Sequence, residues 1–433
     1  MKLGLAAVRG LSRETRAKAV ILSSWFFVTI TTLWLLKPLR QASLLAHLGA
    51  RELPYVRFGS VVGVALIVAV YSRVVDRLSR LQVAKGANLV FAAVLVALWA
   101  ALRLGGESLG EQRWFVWFVF ILVDVYSTVM VGIFWTYTND VCTREEADRI
   151  YGPIGLGGIL GGIAGGALVD GLVVWIGQVD ILLVCVALVL VCAVIVTRSE
   201  SLLHPRLRTI ERESAHGASA LDGARVVLKS HYLLLIVGIV LSYEFAAATT
   251  DFVVSIVFEQ TYTDQAELAK MFGRLGWIVS GVALASQLLI VPALLPRKRL
   301  ALLVPPLAMA VATLGFAFVP IAVVAFAMSA SDRGLNYSLQ QATKETLYVP
   351  LSDTEKYKAK AFIDMLVDRA AKALSSVALV FVIAAAGLSI PISLAIALGA
   401  LAMWTVCAAL LGPAYSRRIE RADRVNASYA TRG

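Results

Sequence analysis

The chain has 433 residues, of which 59% are hydrophobic and only 16% are charged, and its formal net charge is +11. A composition this apolar excludes an ordinary soluble domain and a disordered chain, and it indicates a protein of the lipid bilayer. The basic excess does not indicate a nucleic-acid partner, because most of it lies in loops on one predicted side of the membrane.

Apolar runs of about 20 residues, the length that crosses a hydrocarbon core of about 30 Å, predict twelve transmembrane helices. In the first half they lie near 19–38, 57–76, 84–104, 114–138, 151–175 and 179–197. In the second half they lie near 232–257, 273–295, 300–319, 320–344, 360–386 and 390–413. We therefore predict an all-α polytopic membrane protein with a six-helix bundle at 1–197, a cytoplasmic linker at 198–230 and a second six-helix bundle at 231–433.

Lys and Arg are concentrated in the even-numbered connections and in both tails, for example at Arg297, Lys298 and Arg299. Basic residues near helix ends are retained on the cytoplasmic side. The pattern predicts that both termini lie in the cytoplasm. The expected location is a bacterial inner (plasma) membrane. The first span is expected to be retained as a helix rather than cleaved as a signal peptide.

The four cysteines show neither a disulfide framework nor metal-ligand spacing, and no nucleophile lies beside a base. The sequence therefore predicts no metal, no cofactor and no enzyme. Glycines recur at four-residue intervals along the fifth span, at Gly157, Gly161 and Gly165 among others. Since no strand precedes them and no Lys-Ser/Thr follows, they favour close helix packing over a phosphate-binding loop.

Ionisable residues inside the apolar spans are the strongest functional signal. Each costs roughly 2.5–3.5 kcal/mol at mid-bilayer by insertion scales, so such residues usually face a partner charge or a water-filled pathway. Asp124 and Glu244 are too short to reach the headgroups, and an ion pair is their commoner outcome. For Arg57 and Arg274 we favour snorkelling to the headgroups. The excess of basic candidates indicates a transporter of an anion, since Lys and Arg bind phosphate well.

Several of these residues fall in segments with a family pattern. Stretch 342–372 contains Ala-Thr-Lys-Glu at 342–345, Tyr-Val-Pro-Leu-Ser at 348–352 and Ile-Asp at 363–364. Stretch 134–157 contains Phe-Trp at 134–135, Asn139 and Gly-Leu-Gly at 155–157. Together with Leu-Leu-Lys-Pro-Leu-Arg at 35–40, this order resembles the ATP:ADP antiporter (nucleotide transporter) family of plastids and intracellular bacteria.

The resemblance implies a major-facilitator-like carrier that exchanges nucleotides such as ATP and ADP. It ties Lys37, Arg40, Asp124, Glu244 and Lys344 to nucleotide transport. Three departures bear on the cargo: the two basic types of the first span are exchanged, Asp124 stands where the family tends to carry glutamate, and the chain is shorter than the well-known exchangers. The full set of candidate substrate-binding residues is Lys37, Arg40, Asp124, Asn139, Tyr243, Glu244, Lys344, Asp364, Arg369 and Lys372.

Three functions remain open. The first is nucleotide antiport by alternating access around a positively charged central cavity. The second is proton-coupled transport of another organic anion, with Asp124 or Glu244 titrating. The third is a membrane scaffold or sensor that does not transport, although costly intramembrane charges argue against it. Expected partners are a nucleotide or other small anion and the lipid bilayer, with no nucleic acid and a monomeric chain.

Overall fold

The computed structural model describes residues 12–75, 78–203 and 220–430, and almost all of them are helical. About half of the predicted linker at 198–230 lies outside the described residues, since 204–219 are not among them. The helices are α1 (Arg13–Leu48), α2 (Leu53–Val75), α3 (Arg80–Gly110), α4 (Arg113–Val141), α5 (Arg144–Leu203), α6 (Ala220–Lys229), α7 (His231–Thr261), α8 (Gln265–Ala285), α9 (Val291–Leu294), α10 (Lys298–Phe318), α11 (Ala322–Leu335), α12 (Gln341–Leu347), α13 (Asp353–Ala361), α14 (Asp368–Ala386) and α15 (Ile390–Ala430).

The described residues contain ten helices that are long and apolar enough to cross a membrane. One of them, Arg149–Ser199, has 51 residues, about 76 Å of helix and more than two hydrocarbon thicknesses. It breaks at Gly177, whose φ of 74° is not helical, so it supplies both the fifth and the sixth predicted span. The tenth predicted span is built from α11 and α12, joined by a π-helical turn at Asn336–Gln340. The predicted all-α polytopic fold is confirmed.

Helix α1 is longer than the span predicted at 19–38. It continues through Pro38 to Leu48 and ends at Gly49, where φ is 79°. The carboxylate of Glu259 accepts a hydrogen bond from the Ala50 backbone N–H at 2.7 Å just beyond this end. Arg40 therefore lies more than two turns inside the helix rather than at its edge.

The Cα positions divide the chain into two compact units. The first unit comprises 1–209 with 255–284, and the second comprises 210–254 with 285–433. In the first unit, α1 packs along α5 and α4. In the second unit, a core forms around Tyr232, Tyr348 and Trp404, each at most 5% exposed. The division at 198–230 into two six-helix bundles stays a prediction.

The glycines of α5 form the surface against which α1 packs. A Cβ atom added at Gly157, Gly161 or Gly165 would lie 2.5–2.7 Å from a backbone carbonyl oxygen of α1. The oxygens belong, in that order, to Ser23, Phe27 and Thr31. No side chain fits at those distances, so the packing role predicted for these glycines is confirmed.

Replacing Gly165 by alanine should therefore destabilise the first unit by about 1–3 kcal/mol, the usual cost of overpacking. Gly171, in the same helix, has no atom within 4 Å of an added Cβ. Gly171→Ala should be neutral or stabilising by up to about 1 kcal/mol, because alanine favours helix. Thermal unfolding of the two purified variants compares them directly. Equal melting temperatures would contradict the close contact between α1 and α5.

Candidate functional site

The first cluster of predicted site residues lies in the first unit, where Arg40 joins three helices. Its guanidinium forms an ion pair with Asp124 of α4, and the other carboxylate oxygen of Asp124 accepts a hydrogen bond from the Ser60 hydroxyl of α2. Arg40 also donates to the Phe120 carbonyl at 3.0 Å and lies 4.1 Å from the Phe120 ring centroid. We call Arg40, Ser60, Phe120 and Asp124 the Arg40 cluster. It confirms that Asp124 is paired across the bundle.

Two further candidates of the first unit are Lys37 and Asn139. The Lys37 amine lies 5.3 Å from the ring centroid of Trp34, and it is near enough to Asp124 to interact electrostatically. The Asn139 side-chain oxygen accepts a hydrogen bond from the Tyr151 hydroxyl at 2.5 Å, close to the junction of α4 and α5. The structure thus brings Lys37 toward the Arg40 cluster and gives Asn139 a separate partner.

In the second unit, Lys344 is the centre of another group. Its amine lies 2.7 Å from a carboxylate oxygen of Asp364, and the two side chains are 20% and 31% exposed. The next residue, Glu345, pairs with Lys360 of α13 at 2.6 Å. We call Lys344, Glu345, Lys360 and Asp364 the Lys344 cluster. Both pairs connect α12 to the segment that leads into α14.

Unused hydrogen-bonding groups lie beside this cluster. The hydroxyls of Thr343 and Tyr348 are buried and have no hydrogen-bond partner among the described residues. A buried polar group without a partner costs about 1–3 kcal/mol. Such groups therefore indicate a place where a ligand or water completes the bonding. Both residues belong to the family pattern in the sequence, but neither is among the candidate binding residues, because Thr and Tyr are common in membrane helices.

The third group surrounds Glu244 of α7. Its carboxylate lies 3.9 Å from the amine of Lys372, which also pairs with Asp368 at 2.7 Å. The Glu244 side chain is 12% exposed. The neighbouring Tyr243 packs edge-on against Trp404, with ring centroids 5.4 Å apart. We call Glu244, Asp368 and Lys372 the Glu244 cluster, and its ion pair was the outcome expected for Glu244.

Arg369 differs from the other cations of this region. It is half-buried, and it forms no ion pair or hydrogen bond with any residue that the structure describes. Its guanidinium presents five N–H donors in a planar fork that matches phosphate oxygens. Of the candidate site residues in the second unit, Arg369 is the one best placed to accept an anionic ligand without first breaking a pair.

A family model described as TLC ATP/ADP transporter matches residues 100–332 and 318–415. The chain belongs to this family. The TLC-family transporter is 24% identical to ADP,ATP carrier protein 2 of Chlamydia trachomatis serovar D, over 93% of this chain and 89% of that protein. It is 23% identical to ADP,ATP carrier protein 1 of Chlamydia pneumoniae, over 84% of each. These relatives are carriers, which confirms that the chain is a transporter and not an enzyme.

Solved structures show the fold of the TLC-family transporter. The nucleoside transporter NupG matches with a TM-score of 0.59 and 12% identity, covering 93% of this chain and 99% of NupG. The POT family transporter PepTSo matches with a TM-score of 0.61 and 13% identity, covering 95% of this chain and 99% of PepTSo. The major-facilitator-like fold predicted from the sequence is confirmed.

The TLC-family transporter also carries an ion pair next to the membrane, between α1 and the start of α5. The carboxylate of Glu146 accepts hydrogen bonds from the Lys18 amine at 3.0 and 3.2 Å and from the Thr143 backbone N–H at 2.9 Å. Burial acts to raise the pKa of Glu146, but the hydrogen bonds from Thr143 and Lys18 outweigh it and hold that pKa below its ordinary value of 4.5. The pair therefore stabilises the folded state when Glu146 is ionised.

Because the pKa is depressed on folding, this contribution is complete above the ordinary pKa and is lost as the pH falls through the folded-state pKa. Glu146→Gln should lower stability at pH 7 by about 1–3 kcal/mol, and the difference from wild type should shrink below pH 4.5. Glu14→Gln is the matched control, because Glu14 also pairs with Lys18 but is 71% exposed. Thermal unfolding at several pH values would refute the role of Glu146 if both variants behaved alike.

Proposed function

We propose that this transporter exchanges nucleotides of the ATP and ADP type across the membrane by alternating access. The observation that carries the proposal is the match to the TLC ATP/ADP transporter family over residues 100–332 and 318–415. It is supported by relatives named ADP,ATP carrier proteins that align with 84–93% of the chain. Exchange needs no coupling ion, because the charge of one nucleotide replaces that of another.

The cations of the second unit support a phosphate-binding role. Arg369 can bind an anion without breaking an ion pair with any described residue. Lys344 pairs with a single carboxylate, that of Asp364. Phosphate oxygens compete well with a carboxylate for an ammonium group, since both make charge-assisted hydrogen bonds. We assign the nucleotide phosphates to Lys344 and Arg369, with Thr343 and Tyr348 as nearby hydroxyl donors. Lys372 and Glu244 are assigned to the same pathway.

The candidate residues of the first unit receive a different weight. Arg40 and Asp124 form an ion pair, and the Lys37 amine lies 5.3 Å from the centroid of the Trp34 ring. As the family resemblance implies, we propose Lys37 as a substrate-facing cation of the first unit and the Arg40 cluster as the group that positions α1. We also propose that the protein works as a monomer in a bacterial inner membrane. The distribution of Lys and Arg supports the proposal that both termini lie in the cytoplasm.

Counter-exchange in proteoliposomes tests the proposed function. Labelled ATP is added outside vesicles that contain ADP, and outside vesicles that contain buffer alone. We expect rapid uptake only into the ADP-loaded vesicles. Uptake that is equally fast into both kinds of vesicle would overturn antiport, and the absence of uptake by folded protein would overturn the nucleotide as substrate.

Proton-coupled transport of an organic anion is a second candidate function, and Asp332 of α11 favours it. This residue is 6% exposed, and one of its carboxylate oxygens has no hydrogen-bond partner among the described residues. Asp332 interacts electrostatically with the ionisable side chains of Tyr243, Glu244, Arg333 and Tyr337. A buried carboxylate with an unused oxygen is a natural proton-binding group.

If protons drive transport, an inward acid gradient should drive uptake into vesicles without internal nucleotide. Asp332→Asn should then abolish this uptake while leaving exchange at symmetric pH intact. Asp140→Asn is the control, since Asp140 lies in an exposed ion pair with Arg80. If uptake by the wild type does not change with the pH gradient, proton-coupled transport is excluded.

A further inference from the structure

The first unit contains a cavity of about 500 Å³ that none of the clusters above explains. It lies between α1, α3, α4 and the part of α5 that follows Gly177. Most of its wall is apolar, and wall residues such as Phe91, Leu95, Leu98 and Val123 are each at most 8% exposed. Ligand pockets in proteins have volumes of about 300–1,000 Å³, with apolar walls and a few convergent polar groups. The cavity has the size and the lining of such a pocket.

Most of the polar lining residues stand where helices begin or end. These five are His47 near the end of α1, Arg103 and Glu111 near the α3–α4 junction, Gln178 next to the break in α5, and Gln265 at the start of α8. The other polar lining residues, Arg40, Ser43 and Tyr126, lie inside α1 and α4. Each of these helices crosses the membrane completely. The helix ends named above therefore lie at one membrane surface, and the opposite ends of the same helices lie at the other. The cavity is therefore amphipathic along its length, with a polar mouth and an apolar interior.

The surroundings of the mouth place it at the level of the lipid headgroups. Trp114 and Trp175, next to the mouth in sequence, are 64% and 85% exposed, and Leu104 is 89% exposed. Tryptophan is enriched at the interface between membrane and water, where its ring meets the headgroups. The mouth is therefore expected to lie within reach of lipid headgroups.

Arg103 supplies a binding group for a phosphate at this mouth. Its guanidinium pairs with Asp180, whose carboxylate also accepts a hydrogen bond from the Trp99 indole N–H at 3.0 Å. This anchoring fixes the arginine side chain, which remains 52% exposed. A guanidinium has five N–H donors, so one carboxylate partner leaves donors for phosphate oxygens.

We propose that the cavity is a binding site for a glycerophospholipid, with one acyl chain inside the apolar interior and the phosphate on Arg103. The occupant matches the cavity in each property: an unbranched apolar chain for the buried wall, and a charged head for the mouth at the interface. Since Arg40 also lines the cavity, the acyl chain packs beside the Arg40 cluster. The site shares Arg40 with the Arg40 cluster, but it does not depend on which substrate the transporter carries.

Photolabelling tests the proposal on the wild-type protein. The protein is reconstituted with a phosphatidylglycerol that carries a diazirine near the end of one acyl chain, illuminated, and digested for mass spectrometry. We expect adducts on buried wall residues such as Leu95, Leu98 and Val123. Adducts confined to outward-facing residues such as Val90 and Leu104, which are 62% and 89% exposed, would show an ordinary lipid annulus and overturn the proposal.

Two substitutions separate the interior from the mouth. Leu98→Trp fills the cavity and should remove the adducts on the buried wall, whereas Val90→Trp, on the exposed face of the same helix, should keep them. Arg103→Gln should lower labelling of the wall several-fold. The control Arg113→Gln alters a nearby exposed arginine that pairs with Glu52. Equal labelling in the two arginine variants would refute the phosphate assignment, and the mapping on wild type decides the case even if Leu98→Trp does not fold.

Discussion

Replacing Lys344 by alanine should lower the rate of nucleotide exchange by about 10- to 100-fold, because a hydrogen bond to a charged group contributes about 1.5–3 kcal/mol. The substitution removes a cation assigned to the phosphates. It also leaves the carboxylate of Asp364, now without its partner at 2.7 Å, to repel them. The measurement is the initial rate of exchange in proteoliposomes at matched protein content.

Two further variants make this result specific. Lys356 lies in the same charged stretch and is exposed, so Lys356→Ala should exchange at the wild-type rate. Asp364→Asn releases Lys344 from its pair and should keep exchange, with a lower KM for the nucleotide. If Lys344→Ala exchanges as fast as wild type, or if Lys356→Ala is equally impaired, Lys344 is not a phosphate ligand.

Replacing Asp124 by alanine should have the largest effect on stability. Removing one partner of a buried ion pair costs about 3–5 kcal/mol, because the remaining charge is left without compensation. Here the remaining charge is Arg40, whose side chain is only 12% exposed. The double variant Arg40→Leu/Asp124→Leu should recover most of the loss, since an apolar pair needs no compensation. Unfolding of the purified wild type and of both variants in detergent measures these differences in stability.

Asp140→Asn is the matched control for this series. Asp140 pairs with Arg80 through side chains that are 41% and 48% exposed, and exposed pairs contribute at most about 1 kcal/mol. An equal loss in Asp124→Ala and Asp140→Asn would contradict the structural role of the Arg40 cluster. If Asp124→Asn keeps its stability but loses exchange, Asp124 acts on the substrate, as the family resemblance implies.

The fold could be predicted from the sequence because its signals are local. A run of about 20 apolar residues forms a helix in a bilayer whatever its neighbours are, since the backbone must bond to itself there. The spacing of Gly157, Gly161 and Gly165 likewise indicates a close helix contact on one face. The spans predicted near 151–175 and 179–197 place their boundary at the break at Gly177, because a polar residue interrupts the apolar run there.

The pairing of the charges could not be predicted in the same way. Asp124 and Glu244 were expected to be paired, since a short acid cannot reach the headgroups, but the sequence does not identify the partner. Arg274 was expected to snorkel, yet it donates to both carboxylate oxygens of Asp170 at 3.0 and 3.1 Å. These residues are 104 positions apart, so only the packing of α5 against α8 brings them together.

The end of α1 was misplaced for a related reason. Pro38 and Arg40 lower the hydropathy of this segment, and a window of apolar residues therefore ends there. In the structure the Arg40 guanidinium donates to Asp124 and to the Phe120 carbonyl, while Ser60 donates to the other oxygen of Asp124, so the helix continues through both residues. These partners lower the free-energy cost of placing the charge of Arg40 inside an apolar helix, and a hydropathy window does not include their contribution.

Nucleotide antiport is best tested by following both nucleotides in the same vesicles. Proteoliposomes loaded with ADP carrying one isotope are placed in ATP carrying another, with the pH equal on both sides, and both labels are counted over time. We expect one ADP to leave for each ATP that enters, and vesicles without ADP to take up none. Net accumulation of ATP in vesicles without ADP, driven by an acid exterior, would contradict nucleotide antiport.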